Sequence, residues 1–342
     1  MNNQKIKFGI LTYISRSGST LLSRMLDDYD DVCVTTEGEL PLELFGVKSY
    51  APIQFSSTTQ IKKYLEQVVP RTRVSSWDLS NAEILERCEK AGYPLSGPSL
   101  VKIILAVYRD TYKPQAELII YKACPLMPWH IQESLAHFPD AQFLHILRDP
   151  RAVYNSQMKS LDPFTKKPFA NSALKTAIDW KIAAEATERD TSPVVKELKC
   201  EALLDDPEPT IQALLQFFQL ENKTKSGGGK SFVQRMTRDD QELHQDISLE
   251  PNPDKNLVWQ TNLSDRDIRL IESYLTPLLV EKGYSLFSSV NTSNPIHRLD
   301  LFLSIQKQKI LRITKRLYRV IGNVISNPMY QFQKFKLKIK NG

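Results

Sequence analysis

Five short apolar runs, separated by stretches with helical spacing, constrain this chain more than any other feature. Val32–Thr36 and Pro193–Leu198 are strand candidates, and Lys7–Ile14 (KFGILTYI), Glu117–Ala123 (ELIIYKA) and Gln142–Leu147 (QFLHIL), with their β-branched and aromatic residues, read as buried strands. Their near-continuous apolar character fits burial on both faces. Helical spacing is found at Leu21–Leu26, Ile61–Val69, Ala82–Lys90, Leu100–Tyr112, Ala152–Lys159, Ser172–Glu188, Glu208–Phe218 and Ser264–Lys282. Strands that alternate with helices predict an α/β fold with a central parallel sheet flanked by helices. A length of 342 residues is ample for such a core.

Two of the strand ends carry chemistry. After the first strand comes a polar turn, Ser15-Arg16-Ser17-Gly18-Ser19-Thr20, and then a helix. Free backbone N–H groups at a helix start, together with the helix dipole, favour an anion. Gly18 lets the backbone approach a phosphate, Ser17, Ser19 and Thr20 offer hydroxyls, and Arg16 adds a forked cation. The GxxxxGK[ST] spacing of a Walker loop is absent. On this hexapeptide alone, a capped surface turn is an equal alternative. After the fourth strand comes Arg148-Asp149-Pro150-Arg151-Ala152-Val153. Pro150 suits a first helical turn. Arg148 then stands at a strand's carboxyl end, where open α/β sheets bind ligands. Ser156 lies about two helical turns further on.

Together, and in this order, the two segments resemble the 5′-phosphosulfate and 3′-phosphate segments of the sulfotransferases that use 3′-phosphoadenosine-5′-phosphosulfate (PAPS). The resemblance is nearest to the carbohydrate, tyrosylprotein and related bacterial branch. Lys199-Cys200-Glu201-Ala202-Leu203-Leu204-Asp205-Asp206-Pro207 is similar to that family's YEDLxxxP segment, and Trp259, Leu263-Ser264, Ile271-Glu272 and Gly283-Tyr284 to its C-terminal helix region. The resemblance spans roughly residues 6 to 288. It implies a P-loop-like three-layer fold and a sulfotransferase domain over residues 1–295. It also implies transfer of a sulfuryl group from PAPS to a hydroxyl acceptor, a carbohydrate or glycolipid, by in-line displacement. The implied donor-binding residues are Arg16, Ser17, Gly18, Ser19, Thr20, Arg148 and Ser156. Arg16 and Lys122 are the implied cations for the transferring group, and Glu37 is the implied base, with Glu39 as its alternative and Glu43 third. A solvated lysine at Lys122 and a solvated acidic turn at Glu37 are the plainer readings. The sequence departs from the family at Cys200, where tyrosine is usual, and at Ser15, where proline is common. Val258 stands before Trp259 in place of lysine, which leaves Lys255 as the substitute.

Other patterns carry less. Gly227-Gly228-Gly229-Lys230-Ser231 looks like the end of a P-loop, but Thr224 stands where the upstream glycine is needed. It therefore gives only weak support to a kinase. Five histidines without an HxH or HExxH pair give no metal site, and no metal is expected. His145 reads as structural, and His244 could line the donor site. Cys33, Cys88, Cys124 and Cys200 form no CxxC pair and read as reduced thiols. Residues 296–342 hold eleven Lys/Arg against one acid, Asp300, while the whole chain has a net charge of +6. The body is thus mildly acidic, which does not suggest a nucleic-acid-binding core. From Leu299 to Ile325 the tail reads as a basic amphipathic helix, suited either to docking on the body or to an anionic membrane surface. A peripheral membrane protein with a degenerate nucleotide pocket is the reading from a different class. No signal segment and no long apolar run is found, so the expected location is cytoplasmic, with the tail able to hold the chain at the inner membrane surface.

Overall fold

The computed structural model describes residues 6–46, 52–68, 72–123, 127–162, 166–188, 192–221, 224–225, 231–248, 250–287, 295–308 and 310. In chain order the elements are β1 (Lys7–Tyr13), α1 (Ser19–Asp27), β2 (Val32–Val34), β3 (Gln54–Phe55), α2 (Thr58–Val68), α3 (Asn81–Ala91), β4 (Leu95–Ser96) and α4 (Gly97–Tyr112). Then follow β5 (Leu118–Lys122), α5 (Ile131–Leu135), β6 (Ala141–Leu147), α6 (Pro150–Lys159), α7 (Ala173–Glu188), β7 (Val195–Lys199), α8 (Cys200–Asp205) and α9 (Pro207–Phe217). The last are α10 (Phe232–Arg235), α11 (Arg238–Leu243), α12 (Trp259–Asn262) and α13 (Asp265–Glu281). The chain divides into two compact units, one of Met1–Asn171 with Ile178–Leu263, the other of Ser172–Ala177 with Ser264–Gly342.

The first unit is built on a five-stranded sheet in the order β2-β5-β1-β6-β7, with every pair parallel. Alternate side chains sort into two cores, one on each face. Phe8, Ile10, Ile119, Tyr121 and Phe143 pack with Leu100 and Ile104 of α4. Leu11, Ile120, Leu144 and Ile146 pack with Leu22 of α1, Leu203 of α8 and Leu214 of α9. Truncating any of these to alanine would cost about 2–5 kcal/mol. The parallel arrangement puts the carboxyl ends of β1, β2, β5 and β6 on one edge, and β1 lies where the strand order reverses.

The expected strands and main helices are all present, with shifted ends. Helices begin earlier than their apolar spacing suggests because polar residues cap them. Ser80 accepts from the N–H of Glu83 (3.3 Å) and Ser96 from that of Ser99 (3.3 Å). β2 stops at Val34 instead of reaching Thr36 because side chains take over from the ladder. Tyr108 Oη accepts from the N–H of Thr36 and Tyr121 Oη from that of Leu40, each at 3.1 Å. The β3–β4 pair is only two residues long on each side, too short for a periodicity to register.

In the second unit α13 is capped by Ser264, which accepts from the N–H of Asp267 (3.2 Å). Residues 295–308 are helical, and Leu299, Phe302 and Leu303 are each 56% exposed there. Asp300 accepts two hydrogen bonds from Arg266, at 3.1 and 2.8 Å, and these hold its carboxyl below the usual range. Most of the expected basic helix, from residue 311 on, lies outside the described residues. No described helix is long and apolar enough to cross a membrane.

A buried ionic cluster fixes the turn from α1 into β2. Asp27 Oδ1 accepts from the N–H of Val34 (2.8 Å), and its other oxygen pairs with Arg235 Nη2. Arg235 Nη1 donates to Val34 O and Tyr108 Oη, each at 3.0 Å. Lys113 Nζ donates to the carbonyls of Tyr29 (2.6 Å) and Val32 (2.8 Å). Removing one partner of such a pair strands the other charge. Arg235→Met should therefore lower the unfolding free energy by about 3 kcal/mol in urea denaturation. Asp27→Asn added to it should cost less than the sum of the two single effects. A loss under about 1 kcal/mol for Arg235→Met would show that the cluster is not a structural tie.

Candidate active site

The turn after β1 is shaped to hold an anion. Arg16 and Gly18 both have positive φ, 75° and 88°, on either side of Ser17. A left-handed arginine costs roughly 1–2 kcal/mol, so the surrounding structure must impose it. Gly18 N-caps α1 with no side-chain hydrogen bond, which leaves the N–H groups of the first turn directed out of the helix. A Cβ at Gly18 would lie 2.5 Å from Cys200 Sγ, so glycine is required for packing as well as for conformation. Ser17 Oγ is buried and has no hydrogen-bond partner among the described residues.

Cations surround this turn. Arg16 Nε donates to Ser156 Oγ (3.0 Å), and its Nη1 reaches Leu243 O at 3.5 Å. Arg148 Nη1 reaches Arg16 O at 3.4 Å and its Nη2 donates to Lys255 O (2.9 Å), while its Nε is buried without a partner. Among the described residues neither arginine pairs with a carboxylate. Burial, and then the charge of Arg148, pull Arg16 below the usual arginine pKa. Lys122, the last residue of β5, is 2% exposed and is not a surface lysine. Its Nζ donates to Thr20 Oγ1 (2.8 Å) and lies 3.6 Å from Glu37 Oε2. Burial lowers its pKa, against the pull of Glu37 and Asp240. His244 Nε2 lies 3.3 Å from Thr20 Oγ1. Burial, then Lys122, Arg16 and Arg73, push its pKa down to about 2, so the imidazole stays neutral.

The three segments singled out in the sequence interlock here. Asp149 caps α6 by accepting from the N–H of Arg151 (2.8 Å) and pairs with the Arg151 guanidinium (2.7 Å), which lies 4.1 Å over the ring of Trp259. Glu201 Oε1 accepts from the N–H of Asp149 (2.9 Å), while its neighbour Cys200 fills the space beside Gly18. The segment that opens α8 thus clamps the first turn to the second. Trp180 Nε1 donates to Arg148 O (2.8 Å) and fixes the backbone there. A cleft lined by Arg16, Ser19, Arg148, Ser156, His244 and Lys255 opens on these groups.

Glu37 lies between Lys122 and Arg73, whose Nη1 is 3.3 Å from Glu37 Oε1. Glu39 is 47% exposed, and its one ion pair among the described residues is with Arg73, at 4.0 Å. Burial, with Glu37, Asp162 and Asp240, raises the Glu39 pKa against Arg73. Glu43 accepts a hydrogen bond from Tyr64 Oη (3.4 Å) instead. His145 is buried and bonded to Thr12 (3.0 Å), a structural place. Gly227–Lys230 and Cys124 lie outside the described residues, and Ser231 caps α10 in a capping box with Gln234. Arg73 and Asp240, 3.0 Å apart, are site residues that carry no local signal in the sequence.

The family model that matches this chain is described as "Sulfotransferase family" and covers residues 14–224, more than half of its length. No curated protein matches. Among solved structures, the sulfotransferase domain from the Synechococcus PCC 7002 olefin synthase has a TM-score of 0.53 at 13% identity, covering 84% of this chain and 98% of its own. The sulfotransferase domain from the curacin biosynthetic pathway also has 0.53, at 14% identity, covering 82% and 99%. At these identities the likeness is one of fold. The family match runs through the turn after β1, the turn after β6 and the segment that clamps them, and the chain belongs to the sulfotransferase family.

Proposed function

We propose that this protein transfers the sulfuryl group of PAPS to a hydroxyl on a carbohydrate or glycolipid acceptor. The observation that carries the reading is the pair Arg16 and Arg148, held together without a carboxylate around a turn that presents free N–H groups. Ser17 Oγ and Arg148 Nε, buried with no hydrogen-bond partner among the described residues, fit a ligand with several acceptor oxygens. In the reaction the acceptor oxygen attacks sulfur in line. The bond from sulfur to the 5′-phosphate oxygen breaks, and its electron pair stays on the phosphate. Arg16 and Lys122 stabilise the charge that grows there. Glu37 takes the acceptor proton, since its carboxylate is the one beside Lys122, whereas Glu39 lies near Arg73. Arg148 and Ser156 hold the 3′-phosphate, with Ser17, Gly18, Ser19 and Thr20 around the 5′ end.

A polar groove lined by Lys159, Ser160, Asp162, Glu242 and Gln245 adjoins the donor cleft at Leu243 and supports a polyhydroxylated acceptor over a flat apolar one. The tail from residue 296 serves as a membrane-binding element apart from the catalytic domain of residues 1–295. This is supported by its eleven basic residues and by the exposed Leu299, Phe302 and Leu303. It would hold the enzyme at the cytoplasmic membrane face, near a lipid-linked acceptor.

Two experiments follow. Arg148→Ala should weaken donor affinity more than turnover, because its partner charge is already present in the ground state. Arg16→Ala should lower kcat by about 10²–10³, because its partner charge grows in the transition state. Donor affinity reduced equally in both, with turnover unchanged, would contradict this division. Truncation after Asn294 should abolish co-sedimentation with anionic vesicles and leave donor binding intact. Retained co-sedimentation would remove the tail from the membrane account.

A further inference from the structure

We propose that Arg73 is the positioning residue for Glu37, and that through Asp240 it couples the base to the strip of chain lining the donor cleft. The inference rests on the reading of Glu37 as the base. Arg73 opens a short 3-10 turn, Arg73–Trp77, that is held at several points. Ser75 and Ser76 hydroxyls donate back to the carbonyls of Thr72 (2.9 Å) and Arg73 (2.7 Å). Trp77 is buried against Tyr108, with ring centroids 4.9 Å apart, and Tyr112 Oη donates to its carbonyl (2.6 Å). The guanidinium is thus carried on a rigid support.

Its surroundings show what it does. Among the described residues Glu37 pairs with Arg73 and with Lys122 of β5, and Arg73 in turn meets Glu39 of the same loop and Asp240 of α11. Burial opposes the charge on Arg73, and the three carboxylates outweigh burial, so it stays a cation. Glu37 is therefore shared between two cations. Without Arg73 it would close onto Lys122, 3.6 Å away, and neutralise the lysine that the sulfuryl group needs. Arg73 holds the carboxylate back and keeps both groups available. The same Nη1 binds Asp240 Oδ1 at 3.0 Å, and Thr237 Oγ1 donates to the other oxygen of Asp240 (2.7 Å). Three residues on from Asp240, Leu243 O accepts from Arg16, and the next residue, His244, meets Thr20. A continuous path of contacts thus runs from base to donor turn.

The test measures kcat and the affinity for 3′-phosphoadenosine-5′-phosphate in Arg73→Gln, Arg73→Lys, Asp240→Asn, the double Arg73→Gln/Asp240→Asn and Glu37→Gln, with folding checked by circular dichroism. Arg73→Gln should lower kcat about 100-fold, the effect of a displaced catalytic group, and change nucleotide affinity less than about threefold. Arg73→Lys should recover part of the loss, since the charge remains but cannot span both carboxylates. Asp240→Asn should lower kcat about tenfold, and the double variant should be no worse than Arg73→Gln alone. Wild-type turnover in Arg73→Gln, or equal losses of kcat and nucleotide affinity with no recovery in Arg73→Lys, would overturn the proposal. Glu37→Gln separates the two readings. A loss of about 10²–10⁴ there supports the base, so a normal Arg73→Gln would then sink only the positioning role. Near-normal turnover in Glu37→Gln would sink both.

Discussion

The central strand β1 is buried on both faces and hydrogen-bonded along both edges, so the polar groups of the site have to be built where strands end. Because all five strands are parallel, those ends share one edge. Lys122 at the end of β5, Arg148 after β6 and Glu37 beyond β2 come from positions far apart in sequence, and all stand round the turn that leaves β1. The register sets the depth: Lys122 lies level with Leu11, below the turn, and so is covered when the turn folds over it. Burial of that lysine is a consequence of strand pairing.

The electrostatics of the site are unequal in a way that indicates its use. Among the described residues Arg16 and Arg148 have hydroxyl and carbonyl hydrogen-bond partners and no carboxylate ion pair, while Glu37 has two cations. A pair of like charges, one of them on a left-handed backbone, is costly by itself and is relieved by an anion. The neutral His244 belongs to the same picture, since a second proton there would face three cations. The clamp made by Cys200 and Glu201 keeps the two turns at a fixed separation, as a donor with phosphates at both ends would need.

Much of this was legible in the sequence, for physical reasons. β1, β5 and β6 are buried on both faces, so their apolar runs are unbroken. The turns after β1 and β6 require particular residues next to strands, and Gly18 and Pro150 mark them. What escaped depends on tertiary partners. Arg73 sits in a polar stretch with no periodicity, and its partners lie 36 residues before it and 167 after it. The Asp27–Arg235 pair spans 208 residues. That Glu37 rather than Glu39 meets Lys122 has no periodic signature, because the two differ by two residues in a loop. The cap at Ser96 set the start of α4 and the tyrosine hydroxyls the end of β2; neither boundary is coded by an apolar pattern.

Titration calorimetry of the purified full-length protein with 3′-phosphoadenosine-5′-phosphate and, separately, with ATP addresses the central claim most directly. A site with two arginines on two separate turns should prefer the ligand whose phosphates sit at both ends of the ribose. The 3′-phosphorylated nucleotide should bind at least about tenfold more tightly than ATP, a difference of about 1.4 kcal/mol. Equal or tighter binding of ATP, or no binding of the 3′-phosphorylated nucleotide, would contradict the account.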